Sequence, residues 1–190
     1  MCGRYGTDGN VNDWLRHHCR IIGDDVLRPG DIRPGENAPV VIAGSPRPLV
    51  VPMTWGIAGK GGRVINARKE TVWEKPLFRH AVRFRRCLIP ARCFYEWDRG
   101  KQKVSFRGEN ADILFLAGIF REEAGNGRFV ILTAPADESV RAVHDRMPLR
   151  IPEPLMGKWL SDGTRTREIL DTAEVPVRQE QAAGQLRLWD

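Results

Sequence analysis

The long stretch from Cys87 to Ala134 carries no helix signal, and this limits the possible folds more than any other feature. Such a stretch of short strands suits a barrel or a strongly bent mixed sheet. Its five strand-like apolar runs, each bounded by Gly, Pro, Asp or Asn, are Cys87–Ile89, Cys93–Trp97, Lys103–Phe106, Ile113–Ile119 and Phe129–Thr133.

The remaining signals are irregular. Two further strands are predicted at Pro39–Ile42 and Pro48–Thr54, after a Pro/Gly-rich loop from Arg28 to Pro39. No regular strand–helix alternation is present, so we predict an α+β fold. It is a single domain over residues 1–190, with a mixed bent or barrel-like β-sheet surrounded by short helices. The predicted helices are Val11–Arg20 (capped by Asn10), Glu70–Glu74, Leu77–Arg85, Asp137–Val143, Pro154–Leu160 and Arg165–Leu170.

The net charge of +6 is carried mainly by arginine, with 24 Arg against 6 Lys. Guanidinium groups bind phosphate in a bidentate manner and stack on bases, although a GC-rich genome would give the same composition. Basic residues interleaved with aromatic ones favour single-stranded nucleic acid as the partner. The densest basic segment contains Arg79, His80, Arg83, Arg85 and Arg86.

Neither a signal peptide nor a membrane span is indicated, since the longest apolar run is only Ile113–Phe120. We therefore expect a cytoplasmic protein, associated with the nucleoid in a prokaryote. The four cysteines form no C-x-x-C pair, which favours reduced thiols. Cys19 follows His17 and His18, but one turn of an amphipathic helix explains the cluster better than a metal, and we expect neither metal nor cofactor.

The second residue offers unusual chemistry. Removal of Met1 would leave Cys2 with a free α-amine beside its thiol. With reference pKa values of roughly 7.7–8.0 and about 8.5, both groups are expected to be partly nucleophilic near neutrality. Such an aminothiol converts an aldehyde first to an imine and then to a five-membered thiazolidine. A small residue beside the start codon is the simpler interpretation of Cys2 alone.

Other motifs support the reactive interpretation. They are MCGRY at the N-terminus, VINARKET from Val64, RCLIPA from Arg86, FYEW from Phe94 and VHDRMP from Val143. Together these motifs resemble the SRAP family of abasic-site processing proteins, first named SOS-response-associated peptidases, between Cys2 and about Trp159.

The resemblance implies covalent cross-linking to abasic sites in single-stranded DNA, which shields the lesion during the DNA damage response. Cys2 is then the nucleophile that joins the C1′ aldehyde. Asn66 would orient the Cys2 amine or the sugar oxygen. Glu96 and His144 would move protons. A turn asparagine, an outward strand glutamate and a structural histidine are the simpler alternatives for these three.

The same resemblance assigns DNA contacts, although a tryptophan is also often a core residue. The expected contacts are Arg4, Arg68 and Arg146 with phosphates, Trp55 and Trp97 with flanking bases, and Thr133 with a sugar or phosphate. One segment departs from the family pattern. Asp31–Glu36 replaces an Asn-x-Ala-Pro-Thr-like loop and brings a negative charge towards the expected DNA path. Cys93 also replaces a common glycine.

We expect a monomer, with the replication machinery as a compatible partner. Three other functions remain open. One is an N-terminal-cysteine hydrolase such as a glutamine amidotransferase, although this chain has no room for the usual second domain. Another is a peptidase, whose minimal act would be removal of its own Met1. Within the covalent function, strand-cleaving lyase activity is also compatible with the imine. The last is a noncovalent nucleic-acid-binding module in which Cys2 is incidental.

Overall fold

A computed structural model describes residues 2–23, 27–173 and 175–180 of the chain. Its helices are α1 (Gly9–His18), α2 (Arg79–Phe84), α3 (Glu138–Arg141), α4 (Met156–Ser161) and α5 (Thr166–Thr172), with a 3₁₀ turn at Glu153–Leu155. Its strands are β1 (Tyr5–Thr7), β2 (Arg20–Ile21), β3 (Gly30–Ile32), β4 (Asn37–Ile42), β5 (Leu49–Trp55), β6 (Ile57–Gly59), β7 (Gly62–Val64), β8 (Asn66–Arg68), β9 (Arg86–Ala91), β10 (Cys93–Trp97), β11 (Lys103–Gly108), β12 (Leu114–Glu123), β13 (Asn126–Pro135), β14 (Arg146–Pro148) and β15 (Val177–Glu180).

The larger of the sheets has eight strands, and five of them form a closed ring. The order β13-β12-β9-β4-β5 is antiparallel, and a parallel pairing of β13 with β5 completes the ring. Strand β9 is buried along its whole length because it is covered on both faces. The ring and the short helices confirm the predicted α+β fold with a mixed, barrel-like sheet.

A second, antiparallel sheet holds the N-terminus against this barrel. Its order is β15-β11-β10-β1-β3. The inner face carries Tyr5, Phe94 and Phe106, which are fully buried in one cluster with barrel residues such as Trp55 and Phe129. Apolar burial of this size is the main stabilising contribution to the fold, and it fixes β1 and β10 side by side.

Local structure differs from expectation at three places. Helix α1 begins at Gly9, and its cap is Asp8 rather than Asn10, because the Asp8 carboxylate accepts the Val11 amide at 3.1 Å. The helix predicted at Glu70–Glu74 is wrong, since these residues form turns. The loop predicted from Arg28 to Pro39 contains β3 and the start of β4.

Within the described residues, no helix is long and apolar enough to cross a membrane. No group of three or more His, Cys, Asp or Glu side chains there is arranged to hold a metal ion. The four cysteines are buried free thiols. His17 and His18 instead bond through Nδ1 to the carbonyls of Asp13 and Trp14, one helical turn back.

Candidate functional site

The chain start meets three other segments at one end of the second sheet. The Tyr95 amide donates to the Arg4 carbonyl, which extends the pairing of β1 with β10 towards Cys2. Strand β8 is held parallel to β13, with Asn66 opposite Ile131. The segment after α3 supplies His144, whose amide bonds to the Val140 carbonyl at 3.0 Å.

Cys2 is completely buried. Burial, reinforced by the negative charge of Glu96, raises the pKa of its thiol far above the ordinary range. The Sγ–H donates to the Arg4 carbonyl at 3.6 Å. The folded environment therefore favours the thiol over the thiolate at Cys2.

Asn66 is in direct contact with Cys2. Its Nδ2 donates a 2.9 Å hydrogen bond to the Cys2 carbonyl. Its Oδ1 is buried and accepts no hydrogen bond within the described part of the chain. A buried acceptor without a donor is costly, so this oxygen is suited to a ligand or to the Cys2 amine.

Glu96 is buried, with only 1% of its surface exposed, and its charge acts on the Cys2 thiol. Burial raises the pKa of its carboxyl group, while the positive charge of His144 acts in the opposite direction. The mutual influence of Cys2, Glu96 and His144 places them within one electrostatic environment. A carboxyl group with a raised pKa is a better proton donor site than an exposed glutamate, which is already ionised at neutral pH.

His144 is oriented by its own backbone. Its Nδ1 accepts the Arg146 amide at 2.9 Å, which places the proton of the neutral ring on Nε2. The Asp145 carboxylate lies 2.9 Å from the same Nδ1 and can pair with it only when the ring is protonated. The two contacts thus belong to different protonation states of the ring.

A cationic and aromatic surface adjoins these residues. The Arg4 guanidinium lies 5.4 Å from the centre of the Trp97 ring, and Trp97 is partly exposed. Arg68, at the end of β8, is exposed and forms no ion pair with any described residue. The Arg4 and Arg68 side chains and the Trp97 ring are thus all at least partly accessible from the surface.

The family follows from comparison with known sequences. The family model described as SOS response associated peptidase (SRAP) matches residues 1–186. This chain belongs to the SRAP family. Its curated relatives include two bacterial proteins of similar length. "Abasic site processing protein YoqW" of Bacillus subtilis is 28% identical over 180 residues, covering 85% of this chain and 80% of the relative. "Abasic site processing protein YedK" of Escherichia coli is 28% identical over 203 residues, covering 94% and 89%.

Solved structures share the SRAP chain's fold. A crystal structure of a Bordetella bronchiseptica protein superposes with a TM-score of 0.76 at 23% identity, covering 95% of this chain and all of that one. A Bacteroides thetaiotaomicron protein gives 0.72 at 19% identity, covering 95% and 93%.

Two expected DNA contacts of the SRAP site are corrected by burial. Trp55 has no exposed surface and cannot stack on a base, because Tyr5 and Phe129 pack against its ring and Nε1 donates to the Ile65 carbonyl. Thr133 is also fully buried, which removes its hydroxyl from any sugar.

Arg146 is mostly buried and pairs within the fold, and its contact with a phosphate stays a prediction. Its guanidinium forms a bidentate pair with Glu70 at 2.6 and 3.0 Å and bonds to the Thr133 carbonyl at 2.7 Å. The basic segment that includes Arg79 and Arg86 does not form one exposed surface. Arg86 is buried and donates through Nε to the Trp159 carbonyl at 2.6 Å.

The sequence does not reveal the ionic partners of Asp31, the acidic residue in the loop that departs from the family pattern. Asp31 lies opposite Gly6, 3.7 Å from the Arg4 guanidinium and 3.9 Å from Lys103 Nζ. Lys103 in turn lies 4.4 Å from the centre of the Tyr95 ring. The negative charge of Asp31 was visible in the sequence, but its partners are identified only by the pairing of the strands.

Proposed function

We propose that this SRAP protein captures abasic sites in single-stranded DNA as a covalent adduct with Cys2, once Met1 has been removed. The observation that carries the proposal is the direct contact between Asn66 and the Cys2 carbonyl, beside a buried carboxyl group at Glu96. The names of the two bacterial relatives, both abasic site processing proteins, suggest the substrate class.

The first step uses the nitrogen. Met1 is bonded to the Cys2 nitrogen, so its removal is what frees the amine. The amine attacks the C1′ aldehyde of the ring-opened sugar, the carbonyl oxygen leaves as water, and an imine forms. A protonated Glu96 can donate to that departing oxygen, because burial raises the pKa of its carboxyl group. His144 is the second proton carrier and suits the sugar oxygen released on ring opening.

The second step uses the sulfur. The thiol adds across the C=N bond, so that a C–S bond forms and the thiol proton passes to nitrogen. A raised thiol pKa keeps the sulfur protonated until the imine is present, which limits side reactions of a free thiolate. The Asn66 bond to the Cys2 carbonyl holds the residue so that nitrogen and sulfur reach the same carbon.

The DNA strand is held outside this pocket. Arg4 and Arg68 bind phosphates next to the lesion, and Trp97 stacks on a flanking base. A single strand is preferred because its bases are free to stack on an aromatic ring. No metal takes part in this scheme, so adduct formation in excess EDTA is expected.

The test compares adducts on denaturing gels. The mature protein should give an SDS- and heat-resistant shifted band with single-stranded DNA that carries one abasic site, and none with intact DNA. Cys2→Ala should lose this band yet retain an imine that borohydride traps, because its amine remains. Cys19→Ala, which removes another buried free thiol, is the matched control and should behave as the wild type.

Two results would overturn the proposal. One is an equally stable band with intact DNA. The other is an abasic-site complex that SDS and heat dissociate completely, which is the outcome of purely noncovalent binding. Glutamine or peptide hydrolysis without DNA would instead point to the amide hydrolases that share an N-terminal cysteine.

A further inference from the structure

The outer face of the second sheet holds a carboxylate in a set of donors typical of a phosphate site. Glu180, the last described residue of β15, receives hydrogen bonds from Arg92 Nη2 at 3.0 Å, Arg107 Nη1 at 3.1 Å and Ser105 Oγ at 3.1 Å. These charge-assisted bonds hold the pKa of the Glu180 carboxyl group below its usual value. All three charged side chains keep about a third of their surface exposed.

The residues around Glu180 offer more hydrogen-bond donors than its carboxylate accepts. Arg92 Nε is buried and has no hydrogen-bond acceptor among the described residues, and the Asp8 carboxylate is 3.7 Å from it. Arg178 lies opposite Arg107 in the strand register and is exposed on β15. Two guanidinium groups and a hydroxyl that converge on one point match the recognition of a phosphate.

We propose that Arg92, Ser105 and Arg107 form a second phosphate site for the bound DNA strand, which the chain's own Glu180 carboxylate fills when DNA is absent. The proposal rests on the proposed function, since it extends the path of the same strand. When DNA binds, a backbone phosphate displaces only the Glu180 side chain, and the rest of β15 stays paired with β11.

The position of the site predicts how long a strand must be to reach it. Strand β10 runs from Cys93, beside the proposed site, to Trp97, beside Arg4. Four residues of strand span about 13 Å at roughly 3.3 Å each. A stacked strand rises about 3.4 Å per nucleotide, so the site lies about four nucleotides from the base that stacks on Trp97.

The experiment measures equilibrium binding of intact single-stranded DNA across salt concentrations. Glu180→Gln is compared with Glu122→Gln, an exposed residue of β12 with the same loss of charge. Glu180→Gln should bind a strand of about 17 nucleotides roughly fivefold more tightly than the control, and its salt slope should steepen by about 0.7. Adding Arg107→Gln should return both values to those of the control.

A three-nucleotide strand, too short to reach the site, should bind Glu180→Gln and Glu122→Gln alike. Equal binding of the long strand by these two variants, or weaker binding by Glu180→Gln, would overturn the proposal. If Glu180→Gln lowers the melting temperature, Arg107→Gln alone decides: it should weaken binding of the long strand only, and unchanged binding refutes the site. Abasic adduct yield is scored separately, so a failure of the covalent chemistry is distinguishable from a failure of this site.

Discussion

Glu96 is a carboxyl group with almost no access to water, on the inward-facing side of β10. Cys2 and Asn66 lie beside it, and both are identifiable from the sequence motifs. Their protonation states are not identifiable in this way, because they depend on burial by residues far away in the chain. The thiol shows this most clearly, because burial in the fold raises its pKa well above the reference value of a free cysteine.

Glu96→Gln should slow adduct formation by roughly 10²-fold or more, because a group that transfers protons is replaced by one that does not. The measurement is the single-turnover rate of the SDS-resistant band. Glu122→Gln, an exposed change of the same charge, should leave that rate unchanged.

Glu96 also makes stability depend on pH. Burial raises its folded-state pKa above the unfolded value, so its contribution is fully present below the unfolded pKa, about 4.3, and is lost as pH rises through the folded pKa. Glu96→Gln lacks this loss. Its advantage over wild type in the free energy of unfolding should therefore grow between pH 4 and pH 8. Parallel pH profiles for the two proteins would show that the carboxyl group is not destabilised in the fold.

Asn66→Ala should slow adduct formation by about tenfold, the equivalent of one lost hydrogen bond of ~1 kcal/mol or slightly more. The reason is that the Cys2 carbonyl is no longer fixed. Asn110→Ala, in an exposed loop, is the control. An unchanged rate for Asn66→Ala would assign this asparagine a purely structural role.

At the scale of single elements, strand geometry separates residues that look equivalent in the sequence. Both Trp55 and Trp97 end a strand and seemed suited to bases. Strand β5 continues the closed barrel, which buries Trp55, while Trp97 lies at the end of β10 near the partly exposed Arg4. Alternation along one strand cannot reveal this, since it depends on which neighbours cover each face.

Trp97→Ala should weaken single-strand binding by about 1–3 kcal/mol, the usual value of one base–aromatic stack, with little change in melting temperature. Trp55→Phe should instead lower the melting temperature with little change in affinity, because it loses packing and the hydrogen bond to the Ile65 carbonyl. Fluorescence anisotropy and thermal unfolding measure the two effects. Equal losses of affinity in both variants would restore Trp55 to the DNA path.

The ion pair between Arg146 and Glu70 should stabilise the attachment of β14 beside the site. Arg146 holds the pKa of Glu70 below its usual value. This contribution is present above the unfolded pKa, about 4.3, and is lost as pH falls through the lower folded pKa. Because Glu70 is 41% exposed, Glu70→Gln should cost only about 1 kcal/mol at pH 7, and the cost should shrink in urea titrations as pH falls below the unfolded pKa. A cost independent of pH would contradict an electrostatic origin.

At the scale of the whole molecule, the sequence predicts the long strands, the fold class and a barrel-like sheet, but not which strands pair to close it. Apolar runs such as Cys93–Trp97 and Ile113–Ile119 are long enough to show their type. Strands β3 and β8 have only three residues each, too few for a periodic pattern, and yet β8 positions Asn66. The parallel pairing of β13 with β5 joins distant segments, and no local pattern encodes it.

The central claim concerns bonds at one terminal residue, and peptide mass spectrometry of the nuclease-digested adduct tests it most directly. We predict an N-terminal peptide that begins at Cys2 and carries the sugar remnant less one water. Its mass should stay unchanged after borohydride treatment, because a closed ring has no imine to reduce. An adducted protein whose N-terminal peptide still begins with Met1, or whose sugar is attached to another residue, would contradict the account.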